Sequence, residues 1–270
     1  MFEGDIFAIE VAGLDLFTII LLCVAAAAAG WVDAISGGGG LLQLPALLIT
    51  LPATEPATAL GTNKLSSIIG TSGAAWTYLK QVKPDLRTAL PMAIAAFIGS
   101  GIGASFASRI PAGTFRPVIL VLLIVVWFWT LLRPQLGQVQ ALRWHGQRRH
   151  YAIAVIAGFV IGGYDGLFGP GTGSFLLILL VSVLGYSFLQ ASATAKIVNV
   201  GTNAAALIVF GITGSVIWLL GLVMGACNLV GALIGARTAI NRGSGFVRAV
   251  FLVVVALLIV RLGWEVLTSR

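Results

Sequence analysis

The chain has 270 residues, 59% of them hydrophobic and only 9% charged, where a soluble domain has about 25% charged residues. That balance excludes a soluble globular protein, and the net charge of +7 sits in loops beside apolar runs, where it orients spans rather than binding nucleic acid. Cys23 and Cys227 lie inside apolar runs at unrelated positions, which suggests neither a disulfide framework nor a metal site.

The first residues carry Glu3, Asp5, Glu10 and Asp15 where a signal peptide would be basic, so the run from residue 14 predicts a permanent first span. It covers about residues 14–33 and ends in Ser36-Gly37-Gly38-Gly39-Gly40, where each glycine costs a helix about 1 kcal/mol. An apolar piece at 41–51 follows, about 16 Å long as a helix. Residues 51–56 form a loop, and a span is expected over 62–79 with Lys64 in its first turn. A polar turn at 80–85 leads to spans over 87–108 and 115–132. Trp76, Tyr78, Trp127, Trp129 and Trp264 sit near span ends as interfacial anchors.

Residues 133–150 form a polar linker in which His145 and His150 read as solvated. The plan then repeats: a helix over 151–165, the break Gly169-Pro170-Gly171-Thr172-Gly173, a short apolar piece at 174–184, and spans near 191–211, 216–236 and 247–267. The expected organisation is a first transmembrane repeat over 1–132, a basic cytoplasmic linker over 133–150, and a second repeat over 151–270.

The repetition is residue by residue. At an offset of 132, Gly30 falls on Gly162, Asp33 on Asp165, Gly37 on Gly169, Thr62 on Thr194, Lys64 on Lys196, Gly99 on Gly231 and Gly103 on Gly235. Such a register marks an internal duplication. If the short pieces cross the membrane, each copy has five segments and the copies are inverted; if not, each has four and they are parallel. Loop Lys and Arg collect on the cytoplasmic side. With the basic linker taken as cytoplasmic and Lys64, Lys196 and Arg261 set aside as buried, five segments place Lys80, Lys83, Arg87, Arg133, Arg143, Arg148, Arg149, Arg237, Arg242 and Arg248 inside, and Arg109, Arg116 and Arg270 outside. Four segments move Arg237, Arg242 and Arg248 outside and Arg270 inside, a weaker bias. The sequence therefore predicts an all-α membrane protein of two inverted repeats of about five segments, with short broken helices after the glycine breaks.

Asp33, Asp165, Lys64 and Lys196 carry the chemistry. A charge at membrane depth costs about 2.5–3.5 kcal/mol and by default marks an ion path or binding site; the plain alternative is an ion pair that locks helices together. A glycine run at that depth frees backbone amides, which is tolerated only where protein or water satisfies them. The short helix that follows presents its N-terminus, an anion site, and discontinuous helices at matching repeat positions point to a carrier's substrate site. The candidate anion ligands are Lys64, Lys196, Asn63, Thr62, Thr194, Asn199, Gly38, Gly39, Gly40, Gly171, Thr172 and Gly173, with Asp33 and Asp165 as gating or proton-coupling groups. Thr62 and Thr194 read equally well as helix N-caps. Inversion puts Asp33 at the depth of Lys196, and Asp165 at that of Lys64, so acid–lysine pairs are expected across copies; if the short pieces only dip in and return, each acid meets the lysine of its own copy. No nucleophile or metal set lies within the spans, so neither an enzyme nor a cofactor is expected. The expected partners are a small anion and the bilayer, with no nucleic acid; a homodimer is one arrangement open to it.

Gly30-Trp31-Val32-Asp33-Ala34-Ile35-Ser36-Gly37-Gly38-Gly39-Gly40 and Ala59-Leu60-Gly61-Thr62-Asn63-Lys64 in the first copy resemble the sulfite exporter TauE/SafE family. So do Gly163-Tyr164-Asp165-Gly166-Leu167-Phe168-Gly169-Pro170-Gly171-Thr172-Gly173 and Ala191-Ser192-Ala193-Thr194-Ala195-Lys196-Ile197-Val198-Asn199 in the second. The resemblance runs from about residue 14 to 267. It implies a secondary transporter of the bacterial inner membrane that exports sulfite, organosulfonates such as sulfoacetate, or related sulfur-containing anions. An anion channel and an intramembrane enzyme are the alternatives. Ala195 stands where the first copy has Asn63, so the two copies need not bind alike.

Overall fold

The computed structural model describes residues 14–51, 54–107 and 135–268, with positions 120, 124, 125, 127, 128 and 130–132 between them. Part of the expected fifth segment, with Trp129 and the outer basic residues Arg109 and Arg116, lies outside the described residues. So do Pro52 and Ala53 in the loop after the first short piece, Arg133 at the start of the linker, and Arg270 at the far end.

Helices carry the described fold, and no β-strand occurs among the described residues. They are α1 (Leu16–Ser36), α2 (Gly40–Thr50), α3 (Pro56–Gln81), α4 (Leu86–Phe106), α5 (Arg148–Leu167), α6 (Thr172–Ser182), α7 (Phe188–Ile212) and α8 (Trp218–Thr268). The last is two helices joined at Gly243, where φ is 73° and ψ is −172°. Five helices are long and apolar enough to cross a membrane. Although α3 has 26 residues, its Thr, Asn, Lys and Ser residues keep it off that group, because it carries much of the candidate site.

Local chemistry explains the boundaries. Gly37, at φ 79°, ends α1 with its N–H on the Asp33 carbonyl, the left-handed stop that glycine adopts without a Cβ penalty. Pro56 opens α3, where its missing N–H costs nothing. This start places Lys64 well inside α3 rather than in its first turn. Asp85 and Ser187 cap α4 and α7 through the N–H groups of Arg87 and Gln190. α5 begins at Arg148, inside the expected linker.

The duplication governs packing. Helix starts at 16, 40, 56 and 86 recur at 148, 172, 188 and 218. α1 packs along the first half of α8, and α5 along α4. A Cβ on Gly231 would strike the Ala27 backbone, and one on Gly99 would strike the Phe159 backbone. The same holds for Gly235 against Trp31 and Gly103 against Gly163. Each contact becomes its counterpart when 132 is added to one partner and subtracted from the other. In both seams the two helices run in the same direction, and their small residues allow close approach. α3 and its counterpart α7 run antiparallel: Gly61 lies against Phe210, while Tyr78 and Ser192, toward the other ends, both donate to the Ala34 carbonyl.

Three aromatic or histidine expectations change. Tyr78 is fully buried, with its hydroxyl on the Ala34 carbonyl at 2.9 Å, and is no interfacial anchor. His150 is also fully buried; its Nδ1 lies 2.8 Å from the Arg143 carbonyl and its Nε2 lies 3.2 Å from Thr88 Oγ1. The linker folds back onto the start of α4, which sequence patterning does not reveal. Trp127, half-buried, donates Nε1–H to the Leu252 carbonyl at 2.8 Å. Trp76 and Trp264 are exposed.

Candidate functional site

The two glycine breaks meet. Cβ atoms on Gly37 or Gly173 would each collide with the other's backbone, and Gly40 faces Pro170 and Asn63. The ends of α1 and α5 and the beginnings of α2 and α6 therefore share one centre. Three side chains satisfy the last carbonyls of α1: Tyr78 on Ala34, Ser192 on Ile35 at 2.6 Å, and Ser174 on Ser36 at 3.1 Å. Without them a buried helix end would leave orphan acceptors. In the second break, Thr172 Oγ1 donates to the Gly169 carbonyl at 2.8 Å, and Tyr164 donates to the Pro170 carbonyl at 2.6 Å.

The four charges form two ion pairs around this centre. Lys64 Nζ lies 2.5 Å from Asp165 Oδ2, with side-chain exposures of 3% and 5%. Lys196 Nζ lies 2.7 Å from Asp33 Oδ2, with exposures of 1% and 21%. Each pair joins one copy to the other. The Asp33 carboxylate also accepts from Gly39 N–H at 3.4 Å and Thr71 Oγ1 at 3.5 Å. A carboxylate thus occupies the start of α2, the position that favours an anion. Lys64 also reaches Gly169, whose φ is 80°. The exposures distinguish the pairs: Asp33 is the accessible acid and Asp165 the enclosed one.

The other expected ligands divide. Thr62 and Thr194 are helix-interior residues and cap nothing. The Thr62 hydroxyl donates to the Thr58 carbonyl at 2.7 Å and accepts Ile217 N–H at 3.0 Å, which ties α3 to the start of α8. Thr194 Oγ1, Asn63 Oδ1 and Asn199 Oδ1 are buried with no hydrogen-bond partner among the described residues. Gly39 and Gly40 begin α2 beside Asp33 and Asn63. Gly38 is packed against Val254, and Gly173 against Gly37. Gly171 lies at φ 87° before α6, and the Thr172 hydroxyl is turned back into the break.

Sequence reasoning missed Thr71, Ser174, Ser192 and Tyr78. It also missed Gln43 and Asn228, joined by Asn228 Nδ2 donating to Gln43 Oε1 at 2.8 Å. Amide side chains inside two apolar runs were the available signal.

Two buried lysines, two acids and two interrupted helices are the parts of an ion-handling membrane site. A sequence profile described as Sulfite exporter TauE/SafE matches residues 22–262. The chain belongs to the sulfite exporter TauE/SafE family. A probable membrane transporter protein, ORF9, of Sinorhizobium sp. is 35% identical over 92% of this chain and 94% of its own length. A probable membrane transporter protein of Haemophilus influenzae is 35% identical over 87% and 90%, respectively. The probable membrane transporter protein YfcA of Escherichia coli K12 is 34% identical over 88% and 86%. No solved structure matches. This TauE/SafE protein is a multi-pass membrane transporter of the bacterial inner membrane and not an enzyme.

Proposed function

We propose that this transporter exports small sulfur-containing anions, sulfite or organosulfonates, by alternating access, with Lys64 and Lys196 receiving the anion. The observation that carries the proposal is the pairing of each lysine with the acid of the other copy. An arriving oxyanion competes with the carboxylate for its lysine, and the displaced acid can take up a proton. One pair opens at a time, which couples occupancy to access from one side. The antiparallel run of α3 against α7 supports two repeats inverted about an axis in the membrane plane, with one pair toward each face. With the basic linker taken as cytoplasmic, the five-segment arrangement gathers most loop Lys and Arg on that side, which supports the inversion.

The test is anion flux in proteoliposomes. Saturable sulfite or methanesulfonate uptake with counterflow is expected, and flux without either property would mean a channel. Lys64→Ala and Lys196→Ala should each abolish uptake while the protein still inserts. Arginine at either position should rescue only in part, because its rigid fork differs from a compact ammonium. Full uptake by both alanine variants would remove the lysines from the site.

A further inference from the structure

We infer that the side-chain amide of Gln43 donates a hydrogen bond to the transported anion on the Asp33 side of the centre. The inference rests on the anion reading above. Gln43 stands one turn beyond Gly39 on α2, with its N–H on the Gly39 carbonyl. Its side chain is fully buried. Asn228 holds the Gln43 oxygen, so Gln43 has only its NH₂ left to offer. That nitrogen has no acceptor among the described residues. A buried donor without an acceptor is disfavoured, and a bound oxyanion, an acceptor with no proton to give, would answer it.

The packing holds this amide in place. A Cβ on Gly70 of α3 would fall on the Asn228 side chain, and one on Gly30 of α1 would meet its carbonyl and Oδ1. Two glycines and an asparagine on three helices therefore fix one glutamine. Thr71, next to Gly70, reaches Asp33, and Gly30 lies about one turn before Asp33 on α1. The donor is thus close to the Asp33–Lys196 pair and to the start of α2.

The second copy has no such donor. The offset of 132 maps Gln43 onto Phe175 and Asn228 onto Ala96. Phe175 packs edge-on against Tyr164 with ring centroids 5.3 Å apart. At this one position the site carries an amide on one half and an aromatic ring on the other, so this donor serves the Asp33 half alone.

The test compares the full-length wild type with Gln43→Leu, Gln43→Glu and Asn228→Ala in proteoliposomes, using sulfite as the probe. Gln43→Leu should raise KM by roughly tenfold or more with a smaller change in kcat, the loss expected for one hydrogen bond to a charged partner. Its thermal midpoint should fall slightly, because Asn228 Nδ2 loses its acceptor as the unanswered Gln43 donor is removed, whereas Gln43→Leu combined with Asn228→Leu, which removes both ends of the pair, should restore the midpoint and keep the raised KM. Gln43→Glu should lose saturable uptake through repulsion. Asn228→Ala should raise KM by releasing the amide. An unchanged KM in Gln43→Leu, or a wild-type KM in the double variant with its midpoint restored, overturns the inference while leaving the anion reading intact. Absence of saturable wild-type uptake overturns the anion reading, and this inference with it.

Discussion

Asp33 and Lys196 stand 163 positions apart in the chain, yet the lysine nitrogen lies 2.7 Å from the carboxylate. Asp165 and Lys64, 101 positions apart, meet at 2.5 Å in the same way. Neither acid pairs with the lysine of its own copy. An isolated charge at this depth costs about 2.5–3.5 kcal/mol, so each lysine depends on the opposite repeat for its tolerance of the membrane interior.

Breaking one pair should therefore be worse than removing it. Asp33→Ala or Lys196→Ala alone is expected to destabilise by about 3–5 kcal/mol, because a buried charge is left uncompensated. The double alanine variant should lose less than the sum of the singles. Asp33→Lys with Lys196→Asp should recover stability, and Asp33→Lys with Lys64→Asp should not. Thermal unfolding in detergent reads the difference, and additive single effects would refute the coupling.

The helix seams predict a contrast between neighbouring glycines. Gly99→Ala puts a Cβ into the Phe159 backbone, whereas Gly101→Ala meets only Ala205 at 3.9 Å. The first should destabilise by about 1–3 kcal/mol through overpacking. The second should be neutral or gain up to about 1 kcal/mol from helix propensity. Similar midpoints for the two variants would argue against the seam.

Asp85 predicts an acid-dependent loss of stability. Its carboxylate caps α4 through Arg87 N–H at 3.0 Å and Thr88 Oγ1 at 2.7 Å, and faces His145 Nε2 at 3.4 Å. Burial acts to raise its pKa, but the bonds from Thr88, Arg87 and His145 outweigh it and hold the carboxyl below its ordinary value. The stabilisation is full above the unfolded-state value, about 3.9, and disappears as pH falls through the lower folded value. The wild-type midpoint should fall more steeply below about pH 4 than that of Asp85→Asn, which keeps a capping side chain. Parallel curves would show that Asp85 contributes nothing to the dependence.

Topology can be read from the loops. Lys83 follows α3, and Thr213 follows α7, its antiparallel counterpart. Both residues are exposed. In a background lacking Cys23 and Cys227, Lys83→Cys should resist an impermeant maleimide applied to intact cells. Thr213→Cys should react under the same conditions. Reaction of both from one side would sink the inverted arrangement.

Much of the fold was legible because its determinants are local. The short helices α2 and α6, expected at 41–51 and 174–184, run over Gly40–Thr50 and Thr172–Ser182, since glycine breaks and apolar length act on neighbouring residues. The repeat register, the small-residue seams and the four membrane charges could also be read from residue types alone. Hydrogen-bond partners could not. Thr62 holds the start of α8, Tyr78 and Ser192 close the end of α1, and His150 lies beneath the linker, because helix crossings decide which groups meet. The duplication also concealed a difference: Gln43 and Phe175 occupy equivalent positions but face Asn228 and Tyr164. The sequence determined where charge and backbone breaks enter the membrane, through local propensity and composition. Only the tertiary structure decided which lysine meets which acid and which amide is left without an acceptor, since both depend on contacts between segments far apart in the chain.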